Sequence, residues 1–315
     1  MRYKKVLYPL LTLLILGGIL LQNPSVEKFC QKEEIAVKFE GNILELFNNP
    51  LLIFTIFLYI FLFFLGLANI FIFVVKKLKK EPLLPQKPFA MEVKDEENWR
   101  TLILVLLNIL ILNLVVILFL HPYLKKGLFL FIIYNFILEV IILTSLLTSL
   151  PKYRLGIKKQ EFYPKELIMI YSATLVALIP VVILSYHIGN KLNLESKFHP
   201  IVTVIFLIKN KTLLSLLIFQ ILFLGPVVEE LFFRGFLFSW LRKRFSFGLS
   251  TLVVSFIFAV LHKRVDNFLP IIILSVVLCF IYERTQNILN SIFIHSLHNF
   301  LGVLLILSLK PYSFI

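Results

Sequence analysis

The stretch Ile221-Leu222-Phe223-Leu224-Gly225-Pro226-Val227-Val228-Glu229-Glu230-Leu231-Phe232-Phe233-Arg234 lies inside a longer apolar run, Thr212 to Trp240, and its reading decides the fold. The run exceeds the ~20 residues a helix needs to cross a bilayer. Its three charges therefore fall where each costs at least ~2.5–3.5 kcal/mol and requires a partner or a task. On a helix Glu230 and Arg234 are i and i+4 in the favourable order and can neutralise each other. Glu229 points ~100° away and is left without a local partner. Gly225-Pro226 is expected to break or kink the run, because proline removes a backbone donor and crowds the preceding turn. Backbone freed at membrane depth survives only against protein or a water-filled cavity, which puts Glu229 near a wet pocket. The plainer alternative is a glutamate pair neutralised by Arg234 and a neighbouring polar group, holding helices together.

Outward from this run the chain is apolar throughout. Of its 315 residues 59% are hydrophobic and 16% charged, well above the ~45–50% apolar content of a soluble domain. The expected fold is all-α, a polytopic transmembrane bundle of eight or nine spans. Candidate spans are Val6–Leu21, Leu51–Val75, Thr101–Leu120, Leu128–Leu150, Leu167–Tyr186, Thr212–Trp240, Phe247–Leu261, Phe268–Tyr282 and Ile288–Leu309. The first, behind Arg2, Lys4 and Lys5, reads as an uncleaved anchor because no small-x-small cleavage pattern follows it. The net charge of +14 then belongs to loops and lipid headgroups rather than to nucleic-acid binding. With the N-terminus cytoplasmic, inside segments hold 19 basic residues against 12 outside, the strongest block being Lys76-Lys77-Leu78-Lys79-Lys80. Cys30 and Cys279 are too far apart in sequence to suggest a disulfide framework or a cysteine metal site.

Seven ionisable residues lie within or at the end of an apolar run: Glu139, Glu229, Glu230, Arg234, His262, His295 and His298. Six fall in the last third of the chain, so residues 201–315 are expected to form the active core and residues 1–200 a helical scaffold. His262 ends the run Phe258-Ala259-Val260-Leu261-His262. His295 and Asn299 share a helical face, with His298 beside them. Lengths along the helices allow these residues to converge without requiring it. Glu139, with Asn135 one turn before it, is read as a carboxyl hydrogen-bonded within its own helix or to a neighbour.

Glu-Glu-x-x-x-Arg (Glu229, Glu230, Arg234), Phe-x-x-x-His (Phe258, His262) and His-x-x-x-Asn (His295, Asn299), in that order, resemble the three motifs of the CPBP intramembrane proteases. That family is related to the CAAX prenyl-protein endoprotease and includes bacteriocin-processing and self-immunity proteins. Phe233-Arg234-Gly235 and Tyr282-Glu283-Arg284-Thr285 agree with it, and the resemblance covers residues 212 to 305. His298 is an addition to the pattern. The resemblance implies endoproteolysis in the membrane, with Glu229, Glu230, Arg234, His262, His295 and Asn299 as site residues. Glu229 would activate water, His262 hold it, and His295 with Asn299 donate to the oxyanion, while Glu230 and Arg234 fix the helix. Zinc bound by Glu229, His262 and His295 is the alternative, without the compact spacing that marks zinc sites in a sequence. The cofactor stays open, with a metal-free glutamate mechanism preferred.

Two other classes stand beside the endopeptidase: a proton-coupled transporter with Glu139, Glu229 and the histidines as relay, and a non-catalytic peptide-binding immunity protein. No inverted repeat of broken helices supports the transporter. Expected partners are a peptide or protein substrate at the membrane and the bilayer itself, with no nucleic acid. The oligomeric state and the substrate, a prenylated CAAX protein or a leader peptide, are not written in the chain.

Overall fold

A computed structural model describes residues 38–39, 48–85, 95–115, 128–150, 161–191, 200–262, 267–310 and 313–314. The helices are α1 (Pro50–Leu78), α2 (Asp95–Val115), α3 (Leu128–Ser149), α4 (Pro164–Lys191), α5 (Pro200–Leu207), α6 (Lys211–Arg242), α7 (Phe247–Leu261), α8 (Phe268–Thr285) and α9 (Ile288–Leu309). Lys38–Phe39 and Ser313–Phe314 form a two-residue antiparallel pair. The fold is a polytopic helical bundle, as expected. The anchor Val6–Leu21 lies outside the described residues. Among the described helices, α1, α3, α4, α6, α8 and α9 are long and apolar enough to cross a membrane.

Sequence sets the helix ends. Asn49, Asn210, Ser246 and Asn287 cap α1, α6, α7 and α9, each accepting a backbone N–H from the first turn. Gln286, at φ 50°, ends α8 in the left-handed region and turns the chain into α9. α1 lies against α4, α2 against α3, α7 against α8, and α9 against α4, α6 and α8.

Large apolar side chains on the outside of the bundle, such as Phe57, Phe64 and Phe71 on α1, are mostly exposed and would face lipid. Where lipid removes the hydrophobic drive between helices, close packing and interhelical hydrogen bonds replace it. Gly66 of α1 sits against the backbone of Ser172 on α4. Asn69 Nδ2 donates to Ser172 Oγ at 2.9 Å and Asn108 Nδ2 to Ser145 Oγ at 2.7 Å.

α6 corrects the expectation of a break. It runs continuously from Lys211 to Arg242, and Gln220–Leu224 and Leu231–Phe238 are wound as π-helix. The Gly225 N–H bonds five residues back to the Gln220 carbonyl. In the same winding Pro226 would serve Ile221, but it has no N–H to give. The widened turns absorb the proline without severing the helix.

Candidate active site

Glu230 and Arg234 are both fully buried and paired, Arg234 Nη1 to Glu230 Oε1 at 2.8 Å. Arg234 Nη2 also donates to Ser275 Oγ at 2.8 Å and to the Ser275 carbonyl at 3.1 Å, tying α6 to α8. Its guanidinium lies 5.0 Å from the centre of the Phe258 ring on α7. Glu230 Oε1 accepts a second bond, from His295 Nδ1 of α9 at 2.8 Å. Glu230 and Arg234 together thus hold α6, α8 and α9 in register, with Glu230 Oε1 shared between two donors.

Glu229, one residue earlier, faces a cavity of about 350 Å³ between α3, α5, α6, α7, α8 and α9. Its Oε2 accepts no hydrogen bond within the described residues and lies 3.7 Å from His295 Nε2. Glu229, His262, His295, His298 and Asn299 all line this cavity. Three late helices therefore bring the sequence-selected residues together, although spacing along the chain had only allowed it.

The ring nitrogens follow from their partners. His262 Nδ1 lies 2.7 Å from the Phe258 carbonyl. A carbonyl can only accept, so Nδ1 carries the hydrogen and Nε2 of the neutral ring is a free acceptor. The same argument at the Glu230 carboxylate puts a hydrogen on His295 Nδ1, so that in the neutral ring Nε2, the atom beside Glu229, is an acceptor rather than the donor expected from the sequence. α7 has 15 residues, about 22 Å at helical rise and short of the ~30 Å hydrocarbon core. His262 stands at its C-terminal cap.

Asn299, expected as a donor to the oxyanion, also has a structural partner. Its Nδ2 donates to the Ile221 carbonyl at 2.8 Å, the acceptor that Pro226 leaves unserved. Glu230 and Arg234 do not line the cavity; they sit behind it. Among the described residues no group of three His, Cys, Asp or Glu side chains is arranged as a metal site, the zinc set Glu229, His262 and His295 included.

The cavity also draws on a helix from the segment expected to be scaffold. Asn135 and Glu139 of α3 line it, with Gln220 of α6 within hydrogen-bonding reach of Glu139. The signal was a carboxylate in an apolar run, to which no partner could be attached without knowing which helix lies opposite. Gln220, an isolated polar residue in α6, was overlooked.

The described helices form a polytopic bundle that encloses a cavity lined by a carboxylate and histidines. Residues 211–301, just under a third of the chain, match the family model described as type II CAAX prenyl endopeptidase, Rce1-like. This bears out the resemblance to CPBP proteases over the segment that holds all three motifs, and the family implied is one of proteases. No curated protein and no solved structure matches the chain.

Proposed function

We propose that the protein is an intramembrane endopeptidase in which Glu229 activates a water to hydrolyse a peptide bond. The observation that carries this reading is the division between adjacent carboxylates: Glu230 is sealed by Arg234 and His295, while Glu229 faces the cavity beside His295 Nε2. Glu229 Oε2 and His295 Nε2 are both acceptors, so a single water can donate to both, and His262 Nε2 is a further acceptor from α7. Glu229 takes a proton from the water as its oxygen attacks the peptide carbonyl. The developing oxyanion requires N–H donors, and Asn299 keeps a second amide hydrogen beyond the one given to Ile221. Collapse of the intermediate breaks the C–N bond, and the proton passes from Glu229 to the leaving amine. Glu230 and Arg234 act through His295, fixing its tautomer and position.

The largely apolar cavity wall suits a hydrophobic, membrane-proximal segment of substrate, either a prenylated C-terminus or a leader peptide. In this reading residues 201–315 form the catalytic core, residues 1–200 the scaffold with α3 closing the cavity, and the N-terminus faces the cytoplasm.

The test is cleavage by the full-length protein in liposomes, offered a farnesylated CAAX-type peptide and an unprenylated leader-type peptide. Glu229→Gln and His262→Ala are expected to lower the rate ~10²–10⁴-fold while accumulating in membranes like the wild type. Dialysis against a chelator is expected to leave the rate unchanged. Full cleavage by Glu229→Gln would remove the assignment of the base, and activity lost on chelation and restored by zinc would overturn the metal-free mechanism.

A further inference from the structure

Resting on the hydrolytic reading above, we infer that His298 is an oxyanion donor of this site and that Tyr171 of α4 is the positioning residue that sets its proton. His298 lies one turn after His295 on α9 and lines the same cavity. Its Nδ1 is 3.1 Å from the Tyr171 hydroxyl. Tyr171 is 1% exposed, and this nitrogen is the hydroxyl's sole hydrogen-bond partner among the described residues. A buried phenol hydrogen without an acceptor is costly, so Tyr171 donates and Nδ1 accepts. The proton of the neutral imidazole then resides on Nε2, on the edge of the ring turned away from Tyr171. The rings meet edge to face, with centroids 6.1 Å apart and planes at 84°, which fixes the direction of that N–H.

This arrangement is the reverse of the other two cavity histidines. His262 and His295 spend their Nδ1 hydrogens on the Phe258 carbonyl and the Glu230 carboxylate, leaving lone pairs at Nε2. His298 spends a lone pair on Tyr171 and keeps an N–H. Hydrolysis needs acceptors for the attacking water and donors for the oxyanion, and the three partners sort the histidines into those roles. His298 supplies the donor that Asn299, partly committed to the Ile221 carbonyl, provides only in part.

Two measurements on the full-length protein test this. In ¹⁵N spectra of histidine-labelled protein in detergent, with His298→Gln identifying the signal, His298 is expected to show an unprotonated Nδ1 and a protonated Nε2. Tyr171→Phe is expected to mix the two tautomers. The opposite tautomer in the wild type would overturn the inference without any substrate. In liposomes, with the farnesylated CAAX-type peptide, His298→Leu is expected to lower kcat ~10²–10³-fold with little change in KM. His298→Gln retains an amide donor near the Nε2 position and is expected to stay within about tenfold of the wild type. Tyr171→Phe is expected to cost about tenfold alone and nothing further in the His298→Gln background, where there is no tautomer to set. A kcat for His298→Leu within about twofold of the wild type, or an equal Tyr171→Phe effect in both backgrounds, reduces the pair to a packing contact. Glu229→Gln separates the two claims. If it cleaves fully, the hydrolytic reading falls, whereas if it is inactive and the His298 variants are not, the loss is confined to this inference.

Discussion

Arg234 is fully enclosed, and among the described residues its ion-pair partner is Glu230, so the pair stands or falls together. Removing one member of a buried pair leaves an uncompensated charge and typically costs ~3–5 kcal/mol. Arg234→Ala is therefore expected to destabilise the protein by about that amount, read as loss of thermal stability in detergent and of accumulation in membranes. Glu229→Gln is expected to change stability by less than ~1 kcal/mol, because Glu229 Oε2 has no donor within the described residues to lose. A stable Arg234→Ala beside an unfolded Glu229→Gln would exchange the roles of the two carboxylates. Helical geometry alone made the Glu230–Arg234 pair legible, since i,i+4 neighbours meet whatever surrounds them. It could not reveal that His295 gives its Nδ1 hydrogen to Glu230 or that Ser275 holds the guanidinium. Those partners lie on other helices, and periodicity within one helix carries no information about which helix stands opposite.

The winding of α6 links a local sequence feature to the site. Gly225-Pro226 is expected to break or kink the run because an ordinary α-helical turn accepts proline poorly, and the chain widens the turn without a break. The cost is a free Ile221 carbonyl, and Asn299 answers it from α9. Asn299→Leu is expected to destabilise by ~1–3 kcal/mol, the usual penalty for a buried acceptor left unpaired. Pro226→Ala restores an N–H within reach of Ile221 and is expected to recover part of that loss in the double variant. Calorimetric or thermal-shift measurement of the two singles and the double tests it, and strict additivity would show that Asn299 and Pro226 do not share this carbonyl. At the α1–α4 contact, a side chain at Gly66 would run into the Ser172 carbonyl and come within 2.6 Å of Val176 Cγ2. Gly66→Leu is accordingly expected to separate α1 from α4 and lower thermal stability by ~1–3 kcal/mol, the range for overpacking. Unchanged melting would mean that the two helices are not held at that point.

At the scale of the whole molecule the sequence made the class legible, because runs of twenty apolar residues leave few alternatives to a membrane bundle. Eight of the nine expected runs correspond to described helices, Thr101–Leu120 as far as Val115. The cavity was less legible, since it is built from six helices and α3 brings Glu139 and Asn135 to it from residues 1–200, the part of the chain expected to be scaffold. Basic residues carry most of the orientation signal, whereas the chemistry resides in the few charges that the bundle encloses. The central claim is that Glu229 makes this cavity a site of peptide hydrolysis. Its most direct test is comparative terminal proteomics of cells carrying the wild type or Glu229→Gln at equal membrane abundance. The expected result is a set of membrane-proximal N- or C-terminal fragments present with the wild type and missing with Glu229→Gln; identical termini in the two would contradict it.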